Sequence, residues 1–200
     1  MIDARARAAL RPTFDLAARP LARAHVKPVA VTLLGLAVGL GACAAVALEH
    51  WWVGLGLFVL NRYLDGVDGA LARRGDASAA GGFIDFAADL VFYAAFVLAV
   101  AVAVPEARLA CAALLAAFYV NAGVWLTLSS LLEQRRADRA DERSLRFVPG
   151  LVEGAETILV FVAFCVFHEH AEVIAWTFAG LVGVSIAHRL LLARRLLDGA

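Results

Sequence analysis

The sequence predicts an all-α, polytopic membrane protein: six transmembrane helices preceded by an amphipathic N-terminal surface helix. Three observations carry this expectation. The chain of 200 residues is 62% hydrophobic and has a mean hydropathy of +0.79, far above an ordinary soluble domain. Several apolar runs approach the roughly 20 residues needed to cross a ~30 Å hydrocarbon core. Basic residues gather on alternate connectors between those runs.

The first element is an arm, residues 1–27, and the remainder, residues 28–200, reads as one membrane domain with no room for a soluble one. In the arm, Ile2, Ala6, Ala9 or Leu10, Phe14, Ala17 and Leu21 recur at helical spacing, with Arg5, Arg7, Arg11 and Arg23 between them. That pattern suits a basic amphipathic helix lying on a membrane surface. Pro12 and Pro20 are expected to interrupt it. The arm is too long, and with Asp3 and Asp15 too acidic, for a cleaved secretory leader.

The expected spans are Pro28–Glu49, Trp51–Leu71, Gly81–Val104, Ala107–Leu132, Leu151–Phe167 and Ala171–Leu192. Net charge is zero, but the charges are segregated. Of eighteen basic residues, six lie in the arm, Arg73 and Arg74 follow the second span, five lie between Arg135 and Arg146, and Arg189, Arg194 and Arg195 end the chain. The opposite connectors hold Arg108 alone, beside Glu49, Glu106 and Glu169. The positive-inside rule then puts both termini, and the connector after the second span, on the cytoplasmic side of the cell membrane. His168 and His170 fall on the far side and read as solvated. Cys43, Cys111 and Cys165 are isolated in separate spans and read as small core residues. The richness of the spans in Ala and Gly suits close helix packing in lipid.

Four acids break the apolar pattern: Asp65 and Asp68 near the end of the second span, Asp85 and Asp89 near the start of the third. Spacings of three and four put each pair on one helix face. A short connector joins the two spans, which makes them antiparallel neighbours whose acids converge. Four carboxylates together repel one another and resist desolvation, so a cation must hold them. The donors are all oxygen, which points to a hard divalent ion such as magnesium. A single acid at a helix end would only cap it or pair with Arg62, Arg73 or Arg74. Two same-face pairs on adjacent spans mark a site. Asn61 and Arg62 read as satisfying neighbouring helices or Asp65, and Asp76 as solvated.

The run Asp65-x-x-Asp68-Gly69-x-x-Ala72-Arg73, followed by Gly81-x-x-x-Asp85-x-x-x-Asp89, resembles the signature of the CDP-alcohol phosphatidyltransferases. All eight signature positions are present, with a connector near the short end of the family's range. The "KPVAVTLLG" stretch that opens the first span is similar too, although Val29 stands where many members carry Asn or Asp.

The resemblance implies an enzyme that transfers a phosphatidyl-type group from a CDP-linked lipid to an alcohol and releases CMP. It implies two divalent metal ions, magnesium or manganese, held by Asp65, Asp68, Asp85 and Asp89, with Asp89 also the base toward the acceptor hydroxyl. Gly69 and Ala72 would make room for cytidine, Arg73 would hold the pyrophosphate, and Ser78 and Gly81 would meet the nucleotide. Lys27, Pro28 and Ala30 would edge the same pocket. The implied partners are the CDP-linked donor, a small alcohol acceptor, membrane lipids and a second copy in a homodimer. Nucleic acid is not among them.

The acceptor is expected to be chosen by the fourth and fifth spans. Arg135 and Arg136 are candidates to bind a phosphorylated alcohol such as glycerol 3-phosphate, although the basic run they open also serves topology. Glu153 and Glu156 either face the cavity or cap the fifth span, and their acidity argues against the grip used for inositol phosphate. Serine and other polar alcohols remain rivals. A transporter that passes cations along intramembrane acids is the alternative from another class; it would place its charges near the midplane, not at the helix ends.

Overall fold

The structure, a computed structural model, describes residues 2–75, 78–139 and 154–198. Every element among these residues is helical: α1 (Ile2–Arg23), α2 (Pro28–Ala47), α3 (Trp51–Ala72), α4 (Ala79–Ala103), α5 (Arg108–Arg139), α6 (Gly154–Val166) and α7 (Ala171–Asp198), with short 3-10 turns leading into α5 and α7.

α1 does not break at its prolines; Pro12 and Pro20 both lie inside one continuous helix. Each proline removes a backbone donor, a cost that local sequence alone would not recover. The compensation is tertiary: Phe14 and Ala18 are buried against Val67, Ala70 and Leu71 of α3 in a cluster of their own. Leu16 stays exposed on the other side of the helix. Asp15 adds ion pairs to Arg11 at 4.0 Å and to Arg74, beyond the end of α3, at 3.8 Å.

Two sharp reversals follow, built alike. The amides of His25 and Val26 donate back to the carbonyls of Ala22 and Leu21, and those of Glu49 and His50 to Val46 and Ala45. This is the Schellman pattern, which places His25 (φ 54°) and Glu49 (φ 62°) in the left-handed region. Pro28 then starts α2 at the position where its fixed φ and missing amide cost nothing.

α2 is the organising helix, packed closely against both α3 and α4. Glycine makes this possible. A Cβ on Gly39 would lie 2.7 Å from the Phe92 ring and 2.9 Å from the Asn61 amide nitrogen. α3 and α4, expected as neighbours, meet through side chains, such as Phe58 on Phe92 at 5.9 Å between ring centroids, while α2 packs against both. The gap this leaves between their ends is where the acids lie. Away from that end, Phe58, Phe92, Phe96 and Phe161 form an aromatic core that ties α3 and α4 to α6, with Phe96 stacked on Phe161 at 4.3 Å.

The expected count of six spans is also corrected. Among the described residues, four helical stretches are long and apolar enough to cross a membrane: Pro28–Ala47, Ala79–Ala103, Pro105–Gln134 and His168–Arg194. α3 carries Arg62, Asp65 and Asp68 within its length, and α6 has 13 residues. Large apolar side chains such as Leu33, Trp52, Val59, Leu98, Tyr119 and Val184 stay exposed, as a lipid-facing surface requires. His168 departs from its expected solvated state, since it is half-buried and stacks on Trp51 at 4.6 Å. All three cysteines are buried and free.

Candidate active site

Asp65 and Asp68 fall in the last turns of α3, while Asp85 and Asp89 fall in the second and third turns of α4. Ser78 sets the register of α4: its side chain is the N-cap and accepts a hydrogen bond from the Gly81 amide at 3.0 Å. Carboxylate oxygens of Asp65, Asp68 and Asp85 lie within 4.8 Å of one another. Asp68 is 5% exposed, and the other two acids are half-buried. Three anions at that spacing, partly out of water, are held together far more readily around a cation. Hard carboxylate oxygens fit magnesium or manganese and give no preference to softer metals.

The acids are themselves held. Thr32 of α2 donates from its hydroxyl to Oδ2 of Asp68 at 2.8 Å, with the Pro28 carbonyl 3.2 Å from the same hydroxyl. Asp89 stands outside the group of three. Its Oδ1 accepts from Nη2 of Arg62 at 2.9 Å. Arg62 therefore satisfies a neighbouring helix, one of the two readings the sequence offered, by pairing with the fourth acid.

Two connected spaces meet at these residues. An inner cavity of about 10 Å³, room for little more than one water, is lined by Asp65, Asp68, Asp85 and Asp89 together with Asn61 and Arg62. An outer, open cleft of about 170 Å³ is lined by Pro28, Val29, Gly69, Ala72, Ser78, Gly81 and Gly82. Thr32, Asp68 and Asp85 line both. The small residues of the cleft leave room for a flat group to approach the backbone. Within α4, Gly82 has open space where a Cβ would be.

Of the nucleotide positions implied by resemblance, Pro28, Gly69, Ala72, Ser78 and Gly81 line the cleft. Arg73 caps α3, is exposed, and reaches back so that its Nη1 lies 3.5 Å from where a Cβ of Gly69 would be. Lys27 and Ala30 are exposed and do not line the cleft. Val29 and Thr32 do, because the residues facing the cleft lie one helical turn after Pro28 and beside it. A lone hydroxyl one turn beyond Pro28, in an otherwise apolar span, was the available signal for Thr32. Arg135 and Arg136 fall in the last turns of α5, but their side chains, like Glu153 as a whole, lie outside the described residues. Glu156 sits half-buried in the first turn of α6.

A family model for CDP-alcohol phosphatidyltransferases matches residues 25–193. The chain belongs to the CDP-alcohol phosphatidyltransferase family. It is thus a multi-pass membrane transferase of phospholipid biosynthesis that moves a group from a CDP-linked lipid to an alcohol, in a family that depends on divalent metal. The inner membrane protein YnjF of Escherichia coli (strain K12) is 36% identical over 170 residues, covering 84% of this chain and 82% of that one. The fold is also that of Mycobacterium tuberculosis phosphatidylinositol phosphate synthase (PgsA1). The structure of that protein with CDP-DAG bound matches with a TM-score of 0.73 at 21% identity, covering 90% of this chain and 93% of that one. Its complex with manganese and citrate matches with a TM-score of 0.76 at 19% identity, covering 90% and 88%. Family membership sets aside the transporter alternative, and so does the crowding of the acids at helix ends.

Proposed function

We propose that the chain transfers the phosphatidyl group of CDP-diacylglycerol to a small polar alcohol, with glycerol 3-phosphate the first candidate, and releases CMP. The observation that carries this reading is that Thr32, Asp68 and Asp85 line two spaces at once. A donor in the glycine-lined cleft would bring its pyrophosphate to those residues, beside the acids that would hold the metal.

In this reading the cleft between Pro28, Gly69, Ala72, Gly81 and Gly82 takes the cytidine end of the donor, and exposed Arg73 supplies a fork for its pyrophosphate. Asp65, Asp68 and Asp85 hold one divalent ion, and Asp89 completes the site of a second, with magnesium the expected metal. Bound there, the ions neutralise phosphate charge and leave the phosphorus open to attack. Asp89 accepts the proton of the acceptor hydroxyl at a carboxylate oxygen as that hydroxyl attacks the phosphate distal to cytidine. The bond between the two phosphates breaks and CMP leaves with the electron pair.

The same proposal has both termini and the reaction centre facing the cytoplasm. The segregation of basic residues supports that orientation. Burial of Phe58 in α3 and of Phe161 and Phe164 in α6 supports a place for both helices inside the bundle.

Purified protein in detergent, supplied with CDP-diacylglycerol and magnesium or manganese, should release CMP when one of glycerol 3-phosphate, inositol phosphate or serine is added, and chelation should stop it. Absence of metal-dependent CMP release across the whole panel would sink the proposal. The acceptor that works names the activity.

A further inference from the structure

Arg62 is a charged side chain in the middle of an apolar helix, and every one of its nitrogens is engaged. Nε donates to Asn61 Oδ1 at 2.8 Å, Nη1 lies 3.3 Å from the Tyr93 hydroxyl, and Nη2 donates to Asp89 Oδ1 at 2.9 Å. The guanidinium carbon stands 5.1 Å from the centre of the Phe92 ring and 5.6 Å from that of Tyr93. A guanidinium so far out of water is costly unless its hydrogen bonds and charge are answered, and aromatic faces contribute to the answer.

The cage is anchored well beyond Arg62. Asn61, 3% exposed, donates from Nδ2 to the Gly35 carbonyl of α2 at 2.8 Å. Gly39 leaves no spare room beside either Asn61 or Phe92. α2, α3 and α4 thus all fix the guanidinium, and α4 supplies both Tyr93 and, one turn earlier, Asp89. With its nitrogens occupied, Arg62 is poorly placed to grip a substrate phosphate. Its charge is directed at one carboxylate oxygen.

We infer that Arg62 is a positioning residue for Asp89: by holding Oδ1 it fixes the carboxylate plane and leaves Oδ2 to the inner cavity shared with Asp65, Asp68 and Asp85. The inference rests on the reading of Asp89 as the acid that serves the second ion and the acceptor. Carboxylates that act on metals are commonly oriented by such an outer partner, whose loss costs about 10- to 100-fold in affinity or activity.

The test compares wild type, Arg62→Lys, Arg62→Gln, Asp89→Asn and the Arg62→Gln/Asp89→Asn double variant, each in detergent. Two readouts are taken: CMP release with CDP-diacylglycerol, and manganese binding followed by electron paramagnetic resonance without turnover. Arg62→Gln should lower kcat by about 10- to 100-fold while leaving the KM for the donor within about twofold. Arg62→Lys, which keeps the charge but not the three-way fork, should fall between wild type and Arg62→Gln. Manganese binding should weaken in Arg62→Gln by about tenfold or more, as much as in Asp89→Asn, with no further loss in the double variant.

Wild-type kcat in Arg62→Gln, equal activities of the Lys and Gln variants, or unchanged manganese binding in Arg62→Gln would each overturn the inference. So would additive losses in the double variant, which would show that Arg62 acts by another route. A wild type that releases no CMP with any acceptor refutes the proposed reaction instead, and the manganese titration then decides the role of Arg62 by itself.

Discussion

The hydroxyl of Thr32 on α2 donates to Oδ2 of Asp68 on α3 across 2.8 Å, so a helix that carries no acid helps to aim one. Thr32→Val keeps the shape of the side chain and removes the donor. The buried Asp68 oxygen then loses a partner, a change that costs about 1–3 kcal/mol locally. Manganese affinity of the variant, measured by titration, should fall by about tenfold, and Thr32→Ser should recover most of it. Equal binding in wild type and Thr32→Val would show that Asp68 is held adequately without α2.

Phe14 of α1 lies against the backbone of Gly66, the residue between Asp65 and Val67. A Cβ added at Gly66 would stand 2.5 Å from the Phe14 ring, so Gly66→Ala forces the ring, or α1 with it, to move. Overpacking of this kind costs about 1–3 kcal/mol. Limited trypsin digestion offers the readout, because Arg5, Arg7 and Arg23 lie on α1 and none of them precedes a proline. Gly66→Ala should speed cleavage there, and in a Phe14→Ala background the same change should add little. Protection equal to wild type would mean that α1 can slide without undocking.

Much of this architecture is legible in the chain. The hydropathy runs that begin at Pro28, Trp51 and Ala171 begin helices at those same residues, because proline, aromatic and charged residues punctuate the apolar stretches sharply. The acids on α3 and α4 share faces by periodicity alone. What periodicity cannot rank is partners on other helices. Arg62 has Asp65 three residues away on its own helix, yet it bonds Asp89 on α4. Gly35 and Gly39 sit in a span already rich in small residues, so nothing local says which neighbour each one admits. α1 runs through two prolines because burial of Phe14 and Ala18, a tertiary gain, outweighs a local penalty.

The two Schellman turns invite a stability test. His25 and Glu49 hold left-handed backbone conformations that cost an ordinary L-residue about 1–2 kcal/mol and glycine very little. His25→Gly and Glu49→Gly should each stabilise the fold by up to about 1 kcal/mol, seen as a higher midpoint of thermal unfolding in detergent. The turns flank opposite ends of α2, a helix of 20 residues, so the gains should add. A lower midpoint in either variant would mean that the imidazole or carboxylate contributes more than the backbone strain removes.

Gly81 and Gly82 separate structure from function within one turn of α4. A Cβ on Gly81 would press to 3.1 Å on Ser78 Oγ, the helix cap, whereas one on Gly82 meets nothing within 4 Å. Gly81→Ala should therefore lower the unfolding midpoint relative to Gly82→Ala. Gly82→Ala should be neutral or stabilising by up to about 1 kcal/mol, as alanine generally is over glycine inside a helix. A larger side chain at Gly82 projects from a residue that lines the outer cleft and takes volume from it. Gly82→Leu should then fold as wild type and raise the KM for CDP-diacylglycerol by about tenfold, equivalent to about 1.4 kcal/mol of lost binding, while kcat at saturating donor changes little. An unchanged KM in a well-folded Gly82→Leu would show that the donor lies elsewhere and that the glycine-lined cleft serves another purpose.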